Sequence, residues 1–287
     1  MNGLYDDNLE SALERELDYK PGQAKGDLAK RFGHLVGAEV RTVGEAFSDF
    51  TKILGCSINA LYKNMVTDIV GSTHLTVVDA RFKRNPLWSL GLLNTMDFLL
   101  KNYPERDIAE RIVSALIQSI GMDEAEIRAE AKLVMDYIEG KTVEDISNDI
   151  TSAEGSSPIA AFSAEAKSDQ FWMYSRFIGL GLVKVSEVVG VEQTADSAGQ
   201  QIEKWMSAMD KPTYTAMADS DQWFRTKAKL DMMETLMKEI EIREKKRMAD
   251  RLEEKAEMAL KKAETEAKMQ KELEEKEKER TESLQGA

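Results

Sequence analysis

The sequence predicts an all-α protein: a helical bundle followed by a long, projecting, charged C-terminal helix. Three observations carry that prediction. Apolar residues recur at spacings of three and four along most of the 287 residues, the pattern of helices with one buried face. Alternating β-branched runs are scarce, and only five prolines interrupt the chain. From about Trp223 the composition turns to Glu, Lys and Arg in i,i+4 pairs, which support a helix that packs little. The reading divides the chain into an acidic, partly irregular extension (1–38), a bundle (39–215) and the long helix (216–287).

The elements follow in order. The extension is expected to hold a short helix over 7–17 and to stay out of the core. Thr42 and Glu45 form a capping box that starts the first bundle helix, with Val43, Ala46, Phe47, Phe50 and Leu54 on one face and Gly55 as the stop. Ser57 is placed to cap a second helix carrying Leu61, Met65 and Ile69. The chain then turns at Lys83–Asn85, where Asn85 is the N-cap and Pro86 the first helical residue. The helix from Pro86 to about Asn102 is apolar nearly all round, so it belongs in the middle of the bundle. Gly91 inside it costs about 1 kcal/mol relative to alanine, so its use is a close helix approach.

Tyr103-Pro104-Glu105 opens the next helix, with Ile108, Ile112, Ala115 and Leu116 inward. Asp123 and Glu126 start another, whose stripe is Ile127, Ala131, Val134 and Ile138, ended by Gly140. Gly155–Ser157 marks a loop and a possible subdomain joint. Phe171, Ser175, Ile178, Leu182, Val185 and Val189 keep 4-3-4-3-4 spacing up to Gly190. Ile202, Trp205 and Met209 mark a short helix before Lys211-Pro212. In the last region Leu230, Met233, Met237 and Ile240 follow a heptad-like pattern that then thins. A coiled coil needs apolar a and d positions over three or four heptads, so the tail reads as a solvated single helix and the protein as a monomer.

Composition excludes several functions. The net charge is −13, and residues 229–287 carry 15 basic against 17 acidic side chains. The remaining 228 residues therefore hold 24 basic and 35 acidic groups, a net −11. An acidic body argues against nucleic-acid binding, which needs clustered positive charge to release counterions from phosphates. One cysteine, Cys56, leaves no internal disulfide and no cysteine-based zinc site. No stretch reaches the uninterrupted apolar length of a membrane span, since Lys184 and Glu187 break the best candidate. The N-terminus is too acidic for a targeting peptide, so an organellar location would require one already removed.

The search for chemistry finds no catalytic constellation. His74 with Asp79 has two readings, a general base or metal ligand, and a histidine hydrogen-bonded locally near a helix end. The second histidine, His34, lies in the extension and offers no third ligand. Cys56 reads as a small buried hydrophobe. Gly179-Leu180-Gly181 lacks the residues of a phosphate loop and fits tight helix packing. Asp145/Asp149 and Asp123/Glu126 fall at caps and exposed faces. Arg81, Lys83 and Arg84 form either an anion site beside the helix starting at Pro86 or a solvated turn. Neither a cofactor nor a metal is expected.

Two ordered blocks carry a family resemblance. ALYKNMVTDIVGSTHLTVVDARFKRNPLWSLGLLNTMDFLLKNYPERD holds Tyr62, His74, Leu75, Phe82, Pro86, Gly91, Asp97, Phe98, Tyr103, Pro104 and Glu105. YSRFIGLGLVKVSEVVGVE holds Tyr174, Ser175, Arg176, Gly179, Gly181 and Leu182. Over roughly residues 42–255 the chain resembles the thylakoid formation protein family of cyanobacteria and plastids, also called a photosystem II biogenesis factor. It departs from the family pattern at Trp88, at Asn94-Thr95-Met96, at Glu130 and at Thr73. The resemblance implies an all-helical, non-enzymatic protein of the chloroplast stroma or the stromal thylakoid surface. It further implies work in photosystem II biogenesis and repair, through photosystem or antenna subunits and an FtsH-type membrane protease. The alternative it leaves open is a stably bound structural subunit of a photosystem–antenna supercomplex. The residues named above would then be structural or partner-binding.

Overall fold

The computed structural model describes residues 25–285, so the helix expected over 7–17 lies outside the described residues. The described chain contains eleven α-helices and no strand. They are α1 (Asp27–Phe32), α2 (Val43–Leu54), α3 (Lys63–Val77), α4 (Pro86–Leu99), α5 (Arg106–Ser119) and α6 (Glu124–Ile138). After these come α7 (Val143–Ser152), α8 (Pro158–Ser168), α9 (Arg176–Val188), α10 (Ala195–Ala208) and α11 (Tyr214–Gln285). A single 3-10 turn, Gly33–Leu35, follows α1. Two compact units divide the chain between Thr226 and Lys227, and each is taken by itself.

In the first unit, α4 is the axis. Its sequence buries Leu87, Trp88, Leu92 and Met96 together with Ser89 and Gly91, and it packs most extensively against α9 and then α6. Asn85 caps it by accepting the Trp88 backbone N–H at 2.9 Å, with Pro86 at the first helical position. Gly91 and Gly181 explain how α4 and α9 come so close. A β-carbon at Gly91 would sit 1.7 Å from the Phe177 carbonyl oxygen, and one at Gly181 would sit 2.3 Å from that of Leu87. Backbone meets backbone there, so only glycine fits.

The other helices wrap this pair. The Thr42–Glu45 capping box forms as the sequence predicts, and α2 buries Ala46, Phe50 and Leu54 before Gly55 ends it with a left-handed turn at φ 65°. α2 packs on α5, α3 on α2, and α7 on α8 and α10. The stripe Ile127, Ala131, Val134 and Ile138 is buried throughout, as are Ile202, Trp205 and Met209. The last of these helices is tied to α7 by the Trp205 indole N–H, which donates to the Ser147 hydroxyl at 2.9 Å.

Four local expectations change. Ser57 does not cap α3; instead an Asn59 turn leads in, with its side chain accepting the Leu61 N–H and its carbonyl the Tyr62 N–H. The buried face of α3 is Val66, Val70, Thr73 and His74, while Leu61 is 60% exposed. The Gly155–Ser157 loop joins α7 to α8 inside one unit, so it is no subdomain joint; Ser157 caps α8 through the Ala160 N–H. The end of the extension is also anchored. Although α1 buries no residue, the Arg31 guanidinium forks onto Asp169 and the Phe32 ring meets Phe171 edge-on at 5.9 Å.

The long C-terminal helix is present. From Lys238 to Leu273 every residue is exposed, and i,i+4 pairs such as Lys238–Glu234, Lys245–Glu241 and Lys262–Glu266 run along it. No helix of the described residues is long and apolar enough to cross a membrane.

Candidate functional site

The singled-out residues fall into four places. The first is the turn before α4. Arg81, Lys83 and Arg84 form a solvated turn in which each cation is ion-paired within the chain: Arg81 and Lys83 keep nearly half of their side-chain surface exposed, and their charges are committed to carboxylates. The Arg81 guanidinium is held by Asp79 at 2.9 Å, and Arg84 reaches Glu126 at 2.8 Å and Glu130 at 3.0 Å. Glu130 also accepts the Ser89 hydroxyl, so it ties the turn and α4 to α6. Lys83 donates to Asp169 at 3.1 Å.

Asp169 is the hub. It is 9% exposed, yet it accepts both arms of Arg31, the ammonium of Lys83 and the Phe171 backbone N–H, while its own carbonyl accepts Lys211. The Arg31 guanidinium, with the Phe171 N–H and Lys83, holds this carboxyl well below the usual carboxylate range. One aspartate thus secures α1, the α3–α4 turn and the α8–α9 connection. Phe82 closes the same region, stacking edge-on with Trp88 at 5.2 Å, and Trp88 in turn meets Phe177 at 5.8 Å.

The second place is the entry to α9. The Tyr174 hydroxyl donates to Asp219 at 2.9 Å, and the Arg176 Nε donates to the other carboxylate oxygen at 3.1 Å. Gly179 lies under that phenol: a β-carbon there would come within 2.0 Å of Tyr174 Oη. Burial and the Asp219 charge push the Tyr174 phenol far above its ordinary range, so it stays protonated and donates. Ser175 sits at the N-cap of α9, but its hydroxyl makes no side-chain cap bond. This group clamps the first turns of α11 to α9.

The third place is the α2–α3 end. His74 is 1% exposed, and its Nε2 lies 2.7 Å from the carbonyl oxygen of Arg41, 33 residues earlier. It is no local bond: the imidazole pins the approach to α2. Asp79 is engaged with Arg81 and not with His74. Tyr62 and Tyr103 stack at 4.8 Å, and the Tyr103 hydroxyl accepts the Asn59 N–H at 2.8 Å, which fixes the turn into α3. Pro104 beside it is exposed. Cys56 is half-buried against the same core.

The fourth place is open. Asp97 stands on the outer face of α4 in a cleft of about 590 Å³ between α4, α5 and α6, with Met96, Arg106, Glu110, Glu124 and Arg128 among its walls. Partial burial raises the Asp97 carboxyl, against the pull of Arg128 and Lys184. Glu124 and Arg128 are paired with each other at 2.7 Å. Charges of both signs line this cleft, and no group of three His, Cys, Asp or Glu among the described residues is arranged to hold a metal.

Sequence reasoning missed Asp169 and Asp219. The side-chain partners of the two carboxylates lie 43 to 138 residues away in the chain, and only the Phe171 N–H that Asp169 accepts is local. Tyr174, Ser175, Arg176 and Gly179 come together as a unit, whereas His74, Asp97 and Pro86 occupy separate places.

The model of the thylakoid formation protein family matches residues 42–252. The chain is 24% identical over 218 residues to Protein THYLAKOID FORMATION 1, chloroplastic, of Arabidopsis thaliana, covering 75% of this chain and 71% of that protein. It is 28% identical over 149 residues to Protein Thf1 of Rippkaea orientalis, covering 50% of this chain and 63% of that relative, less than two thirds of the relative's length. The fold is similar to the solved structure of Psb29, with a TM-score of 0.65, 22% identity, and coverage of 73% of this chain and 99% of that one. Every bundle helix from α2 to α10 falls inside the span matched by the family model, and the chain belongs to the thylakoid formation protein family.

Proposed function

We propose that the protein is a non-catalytic factor of thylakoid formation and photosystem II biogenesis and repair. On this reading it works at the stromal face of the thylakoid membrane in the chloroplast. It binds photosystem or antenna components and an FtsH-type membrane protease, and the long charged helix is the capture element. One observation carries the reading: most motif residues, Asp97 and Pro104 apart, are engaged inside the bundle, while a helix exposed from Lys238 to Leu273 offers its side chains outward. The names of the relatives, which speak of thylakoid formation in a chloroplast, supply the setting. A helix laced with both charge signs favours partners that present mixed charge, with contacts that weaken as salt rises.

The test is a pull-down from solubilised thylakoids with the full chain and with a chain ended at Thr226. Photosystem and protease subunits should be recovered with the full chain in substoichiometric amounts, be washed off by high salt, and fall severalfold with the shortened one. Equal recovery by both chains would sink the role of the helix. A near-unit ratio to a photosystem core that survives high salt would instead identify a structural subunit.

A further inference from the structure

A groove of about 450 Å³ runs between α10 and the first turns of α11, inside the first unit. Its lining includes Gly199, Tyr214, Met217, Ala218, Asp196 and Asp221. Three features set it apart. Tyr214 is 83% exposed, more than any other large apolar or aromatic side chain among the described residues. An exposed tyrosine beside a groove is the type of anchor that dominates protein interfaces.

The second feature is the use of glycine. The space over Gly91, Gly179 and Gly181 is filled by the chain itself, but a β-carbon on Gly199 would meet nothing within 4 Å. Among the described residues no packing requires a glycine here; Gly199 is itself buried, at the floor of the groove, and its effect is to keep that floor low. The third feature is charge. Among the described residues the ionisable carboxylates in the lining are Asp196 and Asp221, and no basic side chain joins them. Asp221 is paired along its own helix with Arg225 at 2.8 Å, whereas Asp196 enters no ion pair among the described residues. The cleft at Asp97, by contrast, is lined by both signs.

We infer that this groove docks a lysine- or arginine-bearing helical segment of a partner protein. Tyr214 and Met217 take its apolar face, the small residues Gly199 and Ala218 admit its backbone, and Asp196 and Asp221 select its charge. The net −11 outside the last 59 residues favours the same partner during encounter. This inference deepens the reading of the chain as a binding factor by assigning a site and a partner chemistry to the bundle.

Two synthetic peptides of roughly 18 residues, long enough to form a helix on binding, test it. They share a leucine stripe at helical spacing, and one carries lysine and the other glutamate at the polar positions. Fluorescence anisotropy with the full chain reads affinity, and amide NMR spectra of the same mixtures read location. The lysine peptide should bind, shift the amides of residues 195–200 and 214–221, and weaken as salt rises, whereas the glutamate peptide should not bind. Tyr214→Ala and Gly199→Leu should each lower its affinity about tenfold or more, with the bundle still unfolding in one cooperative transition. Asp196→Asn combined with Asp221→Asn should flatten the salt dependence without unfolding the bundle.

Binding that both Tyr214→Ala and Gly199→Leu leave intact would mean diffuse attraction to an acidic body and would overturn the site. Equal binding of the glutamate peptide would overturn the charge selection. Sedimentation that shows a Tyr214-dependent dimer without peptide would make a second copy the occupant. The assay uses no thylakoid, so its failure and a failed capture by the long helix are separate results.

Discussion

Asp169 shows how one residue can tie distant chain segments. Its carboxylate is almost buried and accepts charged donors from Arg31 and Lys83, so the ionised form is strongly favoured in the folded protein. A carboxyl depressed on folding contributes stability above its unfolded value near pH 4, and that contribution is lost as pH falls toward the folded value. Asp169→Asn should therefore cost about 1.5–3 kcal/mol at neutral pH, the usual value of hydrogen bonds to a charged group. The gap between wild type and variant should be widest above pH 5 and should narrow below about pH 4, where the carboxyl of the unfolded chain begins to take up a proton while the folded one stays ionised. High salt should shrink it, because Arg31 and Lys83 are 38% and 47% exposed. Thermal melts across pH 2–7 read the gap, and a constant difference down to pH 2 would remove the charged role of Asp169.

At the scale of elements, the legible parts of the fold are those set by short-range chemistry. α4 could be placed because Asn85-Pro86 starts a helix and the residues after it are apolar nearly all round. Gly91 could be read as a close approach because nothing else repays a glycine in mid-helix. α7 and α8 had local signals, the Thr142–Asp145 capping box ahead of Ile146 and Ile150 and the Ser157-Pro158 start, but α7 is mostly polar and α8 is short and rich in alanine, so neither shows a long apolar stripe. The buried face of α3 was misplaced because Leu61, Met65 and Ile69 are more apolar than the Thr73–His74 edge that packs inward. What stayed invisible are pairs whose partners meet only after helices dock: Arg84 with Glu130, Tyr174 with Asp219, His74 with the Arg41 carbonyl.

The α4–α9 contact gives the sharpest test at this scale. Alanine normally stabilises a helix over glycine by about 1 kcal/mol. At Gly91 that gain is overruled, since the new methyl would meet the Phe177 carbonyl and the Gly181 nitrogen, both backbone. Gly91→Ala should destabilise by about 1–3 kcal/mol or more as the helices are forced apart. Gly199→Ala, where the space is open, should instead stabilise by about 0.4–1 kcal/mol. Denaturant unfolding of the two variants reads opposite signs, and the same sign in both would refute the close approach.

For the whole molecule, the two units draw on different sources of stability. The first has a buried core from Phe50 through Ala216, the kind of burial that makes unfolding cooperative. In the second, residues Lys238 to Leu273 are exposed, so the helix there rests on propensity and on i,i+4 ion pairs worth about 0.2–0.5 kcal/mol each. Such a helix gains from every added pair but has no core to melt as one. The full chain should therefore lose helical signal in two stages: a broad early loss, then a sharp transition. Ending the chain at Thr226 should abolish the early loss and leave the sharp transition within about 2 °C of its place, less than 1 kcal/mol for a domain of this size. Raising salt to about 1 M should deepen the early loss in the full chain, because it screens the exposed pairs, and should leave the shortened chain unmoved. Circular dichroism melts of both chains at low and high salt decide the matter. A drop of more than about 5 °C in the sharp transition on shortening would show that the bundle draws stability from residues beyond Thr226.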